Sequence, residues 1–239
     1  YNPPSGLITT TYFRRIHYST ISGYECSSIS NLITVTVNDV TAGSINNNQT
    51  ICSGDDPAAF TSAGSGTGSG AISYTWQSET GNGNWIPSGG NSTTYDPGPL
   101  STTTNFRRQA TSTLNGVGCS SISNSVTITI NDVNGGSING TQTVCESGDP
   151  SNLSNSISGT GSGTISYQWV SSLNNSSFTN INGATGESYN PPIIVQSTYY
   201  KRRTTSILNS ISCVSESNSI AVSLNNPGAG TISGDQTIC

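Results

Sequence analysis

Gln49-Thr50-Ile51-Cys52 returns as Gln142-Thr143-Val144-Cys145 and again as Gln236-Thr237-Ile238-Cys239, at offsets of 93 and 94 residues. The register holds well beyond these four positions. Ile72-Ser73-Tyr74-Thr75-Trp76 matches Ile165-Ser166-Tyr167-Gln168-Trp169, and Tyr1-Asn2-Pro3 matches Tyr95-Asp96-Pro97 and Tyr189-Asn190-Pro191. Phe13-Arg14-Arg15 matches Phe106-Arg107-Arg108 and Tyr200-Lys201-Arg202, and Cys26, Cys119 and Cys213 each follow eleven residues after the final Arg. Self-similarity at a fixed period is the mark of a repeat architecture. It predicts the C-terminal part of one repeat over 1–40, complete repeats over 41–134 and 135–227, and the first strand of a further repeat over 228–239, the whole being internal to something longer.

Inside each repeat the apolar residues alternate. Ile33, Val35 and Val37 are separated by Thr34 and Thr36; Val126, Ile128 and Ile130 by Thr127 and Thr129; Ile220, Val222 and Leu224 by Ala221 and Ser223. Period two means a strand with one packed and one wet face. Glycine-rich stretches such as Gly64 to Gly70, Gly81 to Gly83 and Gly159 to Gly163 read as turns, and no segment has a helical period. A unit of this length with short strands about a dozen residues apart predicts an immunoglobulin-like β-sandwich. The junctions, Asn38 to Gly43, Asn131 to Gly136 and Asn225 to Gly230, are short enough to predict domains arranged end to end.

Composition narrows the function. Apolar residues make up 31% and charged residues 8%, and the net charge is −5 with seven basic residues. Low charge with many β-branched residues fits folded β-domains rather than disorder, and no basic footprint exists for nucleic acid or an anionic membrane. No apolar run reaches the roughly 18 residues that span a bilayer. Catalysis needs a nucleophile, base or carboxylate pair held together. The sole histidine, His17, stands opposite Ala110 and Thr204 in the other repeats, and of the turn acids only Asp56 and Asp149 recur. The chain reads as a non-enzyme with no cofactor and no metal.

Each repeat carries one cysteine near the end of its first strand and one near the start of its last. The preferred pairs lie within a domain, Cys52 with Cys119 and Cys145 with Cys213, leaving Cys26 and Cys239 to partners outside the chain. Closing a loop of about 68 residues stabilises a domain by roughly 4 kcal/mol. Bridges Cys26–Cys52 and Cys119–Cys145 would have to span a strand and a junction, but spacing alone leaves the connectivity open. Disulfides imply an oxidising compartment.

On the alternation of the Tyr-x-Trp strand, Trp76, Trp169, Tyr74 and Tyr167 are core residues. Trp85 and Phe178 follow in a more variable segment and are candidate ligand-contact aromatics, either a sugar-stacking platform or packing under a loop. In Arg14-Arg15 and its counterparts the two side chains alternate faces, so one is expected to lie along the sheet and pair with a carboxylate such as Asp56 or Asp149.

The order Gly-x-Ile, Gln-Thr-Ile/Val-Cys, Tyr-x-Trp, Tyr-x-Pro, Tyr/Phe-Arg/Lys-Arg, Cys, Ser-Asn-x-Ile/Val resembles the Ig-like and PKD-like repeats of giant cell-surface proteins of Bacteroidota, the gliding-motility adhesin and type IX secretion cargo type. Asn105 departs from the Tyr of the other two repeats. The resemblance implies a secreted, cell-surface structural or adhesive filament or stalk. Its expected partners are neighbouring repeats of the same protein, lateral copies and a surface polysaccharide, with no nucleic acid and no membrane insertion. The alternative is a carbohydrate-binding or spacer module of a secreted polysaccharide-degrading enzyme.

Overall fold

The structure is a computed structural model that describes residues 1–146 and 148–239. Every regular element among the described residues is a β-strand. The chain divides into two compact units, Tyr1–Gln49 with Pro57–Gly98 and Thr103–Ile128, and Thr50–Asp56 with Pro99–Thr102 and Thr129–Cys239.

One large sheet runs in the order Ile86–Gly89, Ala71–Glu79, Thr104–Leu114, Val117–Asn131, Gln49–Cys52. The central strand Thr104–Leu114 alternates as the sequence does, turning Thr104, Phe106, Arg108, Ala110 and Ser112 inward. Small ladders form the facing layer, Val40–Thr41 with Thr67–Gly68 and Ser44–Asn46 with Thr61–Gly64. Between the layers Phe60 and Trp76 lie with ring centroids 5.7 Å apart, Trp76 and Tyr95 5.3 Å, and Phe60 and Phe106 4.9 Å. Trp76 is fully buried and its Nε1 donates to Ser92 O at 3.0 Å.

The second unit repeats the plan. Its sheet runs Gln142–Cys145, Ile220–Asn225, Thr198–Leu208, Thr164–Ser172, Thr179–Asn180, with Ile211–Glu216 also paired to Thr198–Leu208. The facing ladders are Val133–Asn134 with Thr160–Gly161 and Ser137–Asn139 with Ser154–Ile157. The core gathers Ile138, Leu153, Trp169, Tyr200, Ile220 and Val222.

In each domain the first strand changes sheets. Ser137–Asn139 belongs to the small layer, whereas Gln142–Cys145 runs parallel to Ile220–Asn225 in the large one. The kink falls at Gly140, whose φ of 126° and whose approach to Leu153 leave no room for a side chain. The recurring glutamine holds the crossing. Gln142 Nε2 donates to Ser151 O at 2.9 Å while Ser151 N donates to Gln142 Oε1 at 2.8 Å, and Gln49 does the same with Ala58 at 2.7 and 2.8 Å.

Two glycine-rich stretches read as turns are strands in part. Thr67–Gly68 and Thr160–Gly161 pair with the entry strands of their domains. A Cβ on Gly68 or Gly161 would stand 2.6 Å from the Cβ of Ser112 or Ser206, so glycine is required by close approach of strand to sheet.

Candidate functional site

Three polar devices recur in both domains, and each does work that backbone ladders do elsewhere in a sheet. The first is a buried arginine. Arg108 is fully buried, and its guanidinium donates from Nη1 to Thr93 O (2.8 Å) and Ser62 Oγ (3.1 Å) and from Nη2 to Gly64 O (2.8 Å) and Ala42 O (2.9 Å). Arg202 donates to Asn155 Oδ1 (2.8 Å), Glu187 O (3.0 Å) and Ile157 O (3.1 Å). Tyr74 and Tyr167, half-buried rather than core, place their rings 4.8 and 4.5 Å from these guanidinium carbons. Burial lowers both arginine pKa values, an effect that Tyr74 opposes at Arg108, and Tyr167 and then Glu187 at Arg202. In place of the expected carboxylates the inward arginine binds mostly backbone carbonyls, because the facing ladders are short and leave carbonyls aimed at the core.

The second device is a bulge beside that arginine. Arg108 stands opposite two residues, the register stepping from Arg107↔Ser125 to Gln109↔Ile122. Ser123 Oγ accepts from Arg108 N at 2.9 Å, and the extra residue frees Asn124 to reach the other layer. There Asn124 Oδ1 accepts from Ile45 N at 2.9 Å and Nδ2 donates to Ile45 O at 2.8 Å, a side chain acting as a strand partner. Ser217 and Asn218 do the same for Arg202 and Ile138.

The third device is the junction. In the second unit Asn131, fully buried at the end of its strand, donates from Nδ2 to Ser206 O (2.9 Å) and Ile211 O (3.0 Å), and Ser206 Oγ donates to Asn131 Oδ1 at 2.7 Å. Beside it Asn209 Nδ2 donates to Thr50 Oγ1 at 3.0 Å. Cys52 and Cys213, both within the second unit, form a disulfide with Cα atoms 5.6 Å apart.

That bond corrects the expected pairs Cys52–Cys119 and Cys145–Cys213, and neither Cys26–Cys52 nor Cys119–Cys145 forms: Cys26, Cys119, Cys145 and Cys239 are free thiols. Topology is the reason. Because the first and last strands of a domain run parallel, Cys145 sits opposite Asn225 at the end of the last strand, whereas Cys213 lies twelve residues earlier, about 35–40 Å away along the sheet. Disulfides need Cα atoms about 4.4–6.8 Å apart.

The outward basic residues meet the variable aromatics. Arg107 stands 4.1 Å from the Trp85 ring centroid and Lys201 4.6 Å from that of Phe178, so each half-exposed ring carries a cation on one face. Lys201 and Arg203 both pair with Glu216 at 2.9 Å. His17, Asp56 and Asp149 are exposed, and among the described residues no three His, Cys, Asp or Glu side chains form a metal-binding group.

Asn105, where the other repeats carry Tyr, is explained by its cross-strand neighbour Glu79: the two are hydrogen-bonded, and Asn105 Oδ1 also accepts from Thr127 Oγ1 at 2.7 Å. In the second unit the matching pair is Ser172 and Tyr199. The Asn105 hydrogen bond and then the Gly83 amide hold Glu79 below its ordinary value of 4.5. A depressed carboxylate stabilises the fold fully above its unfolded value and loses that contribution as pH falls through the folded one. Glu79→Gln should therefore melt lower than the wild type at neutral pH, with the gap closing as pH falls below about 4. A gap independent of pH over that range would contradict the assignment.

All-β domains of this plan, repeated along one chain, are tandem immunoglobulin-like β-sandwiches. The chain belongs to the family described as Domain of unknown function (DUF8696), whose model matches residues 41–132 and again 134–226. No curated protein matches it. Two solved titin structures are similar to it. One is a titin A168169 substructure at 12% identity, covering 76% of this chain and 95% of that one with a TM-score of 0.24. The other is titin domains z1z2 in complex with telethonin at 13%, covering 82% and 100%, again with a TM-score of 0.24.

Proposed function

We propose that this chain is a structural and adhesive repeat region of an extracellular bacterial filament or stalk, without catalysis of its own, in which each repeat is locked to the next. The observation that carries this reading is the Cys52–Cys213 disulfide, which ties a residue of the first matched repeat to one of the second across 161 positions of sequence. Within-domain staples would raise the stability of each repeat separately. A bond from repeat to repeat does something else: pulling on Tyr1 and Cys239 loads the disulfide, and the chain between the cysteines is shielded from extension. That suits a part whose task is to keep its reach under tension. The bond also needs an oxidising compartment, which supports display outside the cytoplasm, and the motif order supports the bacterial cell surface.

Single-molecule pulling from the two ends tests this. With the disulfide intact, unfolding should release a contour length shorter by about 550 Å than after reduction, the extended length of the shielded stretch. Equal lengths before and after reduction would remove the load-bearing role.

A further inference from the structure

Arg107 and Lys201 occupy the same position of successive repeats, on the outer face of the central strand of the large sheet, and they are compensated differently. Lys201 is neutralised by Glu216, which also holds Arg203. In the first unit the place of Glu216 is taken by Ile122, which stands opposite Gln109 as Glu216 stands opposite Arg203. Arg107 meets no carboxylate there, and among the described residues it makes no ion pair.

The uncompensated guanidinium is nevertheless held in place. Arg107 Nε donates to Gln77 Oε1 at 2.7 Å, and its guanidinium carbon stands 4.1 Å from the Trp85 ring centroid. The loop that carries Trp85 is pinned as well: Glu79 Oε2 accepts from Gly81 N (2.6 Å) and Gly83 N (3.1 Å), and Asn82 Oδ1 accepts from Asn84 N (2.9 Å). Glu79 is buried and committed to this loop and to Asn105, so it is not the counter-ion of Arg107. Across the ladder Gln77, Arg107 and Ser125 stand side by side on one face. Among the described residues Arg107 Nη1 and Nη2 and the exposed Ser125 hydroxyl make no hydrogen bond.

We propose that this row is a binding site for an acidic polysaccharide, in which a uronate residue lays its pyranose ring along Trp85 and sets its carboxylate on the free Nη groups of Arg107. The end of a guanidinium presents two parallel N–H donors, the pattern that a planar carboxylate accepts in a pair. The C–H groups of a pyranose give the half-exposed indole an apolar surface to cover, and the Ser125 hydroxyl takes a hydroxyl of the same sugar. Because Trp85, Arg107 and Gln77 are held before the ligand arrives, little side-chain freedom is lost on binding. The site belongs to the first repeat: in the second, Phe178 and Lys201 stand in the corresponding places, but Glu216 already occupies the cation.

The full chain is titrated with a galacturonate oligosaccharide, with its neutral methyl ester and with a sulfated oligosaccharide of equal length, followed by calorimetry and by indole fluorescence. Trp76 and Trp169 are fully buried, so a change in emission reports contact at Trp85. The galacturonate oligosaccharide is expected to bind, and the ester and the sulfated chain to bind at least about tenfold more weakly. Calorimetry should show a loss of at least about tenfold in Arg107→Gln and in Trp85→Ala. Ile122→Glu should lose as much: it changes an exposed side chain, leaves Trp85 and Arg107 in place, and puts a carboxylate where the second repeat has Glu216. Three results overturn the proposal: no binding of the galacturonate oligosaccharide, binding of the ester or the sulfated chain as tight as its own, or undiminished binding by Ile122→Glu. The site gives a ligand class to the adhesive part of the proposed function and rests on that reading; the pulling experiment measures load-bearing without any ligand, so the two fail separately.

Discussion

Replacing Arg202 with leucine should destabilise the second domain by about 4 kcal/mol or more, a loss unusual for one surface-type residue and large against a total of about 5–15 kcal/mol for a domain. The guanidinium is fully buried and supplies the donors for Asn155 Oδ1, Glu187 O and Ile157 O. Leucine fills much of the volume and donates nothing, so each acceptor left dry costs about 1–3 kcal/mol. Arg202→Lys should not rescue it, because a single ammonium cannot reach acceptors spread over the fork of a planar guanidinium. Native-state hydrogen exchange checks this with an internal control: protection should fall along Thr198–Leu208 and stay unchanged along Thr104–Leu114. Wild-type protection in the leucine variant would mean that water satisfies the carbonyls and that the arginine is dispensable.

The same arginine shows where the sequence was legible and where it was not. Alternation along Phe106, Arg108 and Ala110 places one arginine of each pair on the inner face, because period two follows from strand geometry alone. Its partners are mostly backbone carbonyls, which have no residue type to read, whereas the expected carboxylates Asp56 and Asp149 are exposed. Asn124, Asn131, Asn218 and Ser206 were invisible for a related reason: among long runs of Ser, Thr and Asn, a structural asparagine looks like a solvated one. Their only signal is recurrence at the repeat offset, Asn31, Asn124 and Asn218 in one series and Asn38, Asn131 and Asn225 in another. The expected disulfide pairs rested on both cysteines belonging to one repeat, which says nothing of where along the sheet each of them stands. Once the first and last strands are known to run parallel, the in-domain pair is separated by the length of the sheet, and the hairpin Thr198–Leu208 with Ile211–Glu216 carries Cys213 to Cys52 instead.

Trp169→Ala is expected to cost about 3–5 kcal/mol, the range for deleting a large aromatic from a core. Trp169 is fully buried, packs with Tyr189 at a ring separation of 5.7 Å, and donates from Nε1 to Gly186 O at 2.9 Å. Its backbone is pinned as well, Trp169 N donating to Ala184 O at 2.8 Å and Trp169 O accepting from Ile181 N at 2.9 Å. The strand therefore cannot move inward to close the space, the neighbours Tyr200 and Val222 sit on strands paired in one ladder, and Leu153 is tied to Tyr189 by an isolated bridge. A site that cannot collapse pays both the transfer and the cavity contributions, which places the loss toward the upper end. Trp85→Ala gives the contrast: the ring is half-exposed and held by Arg107, so its removal should cost less than about 1 kcal/mol. Denaturant unfolding of the two variants against the wild type separates the cases. A loss near 1 kcal/mol at Trp169 would mean that the layers close over the gap and that the backbone bonds to Ala184 and Ile181 do not hold the strand in place.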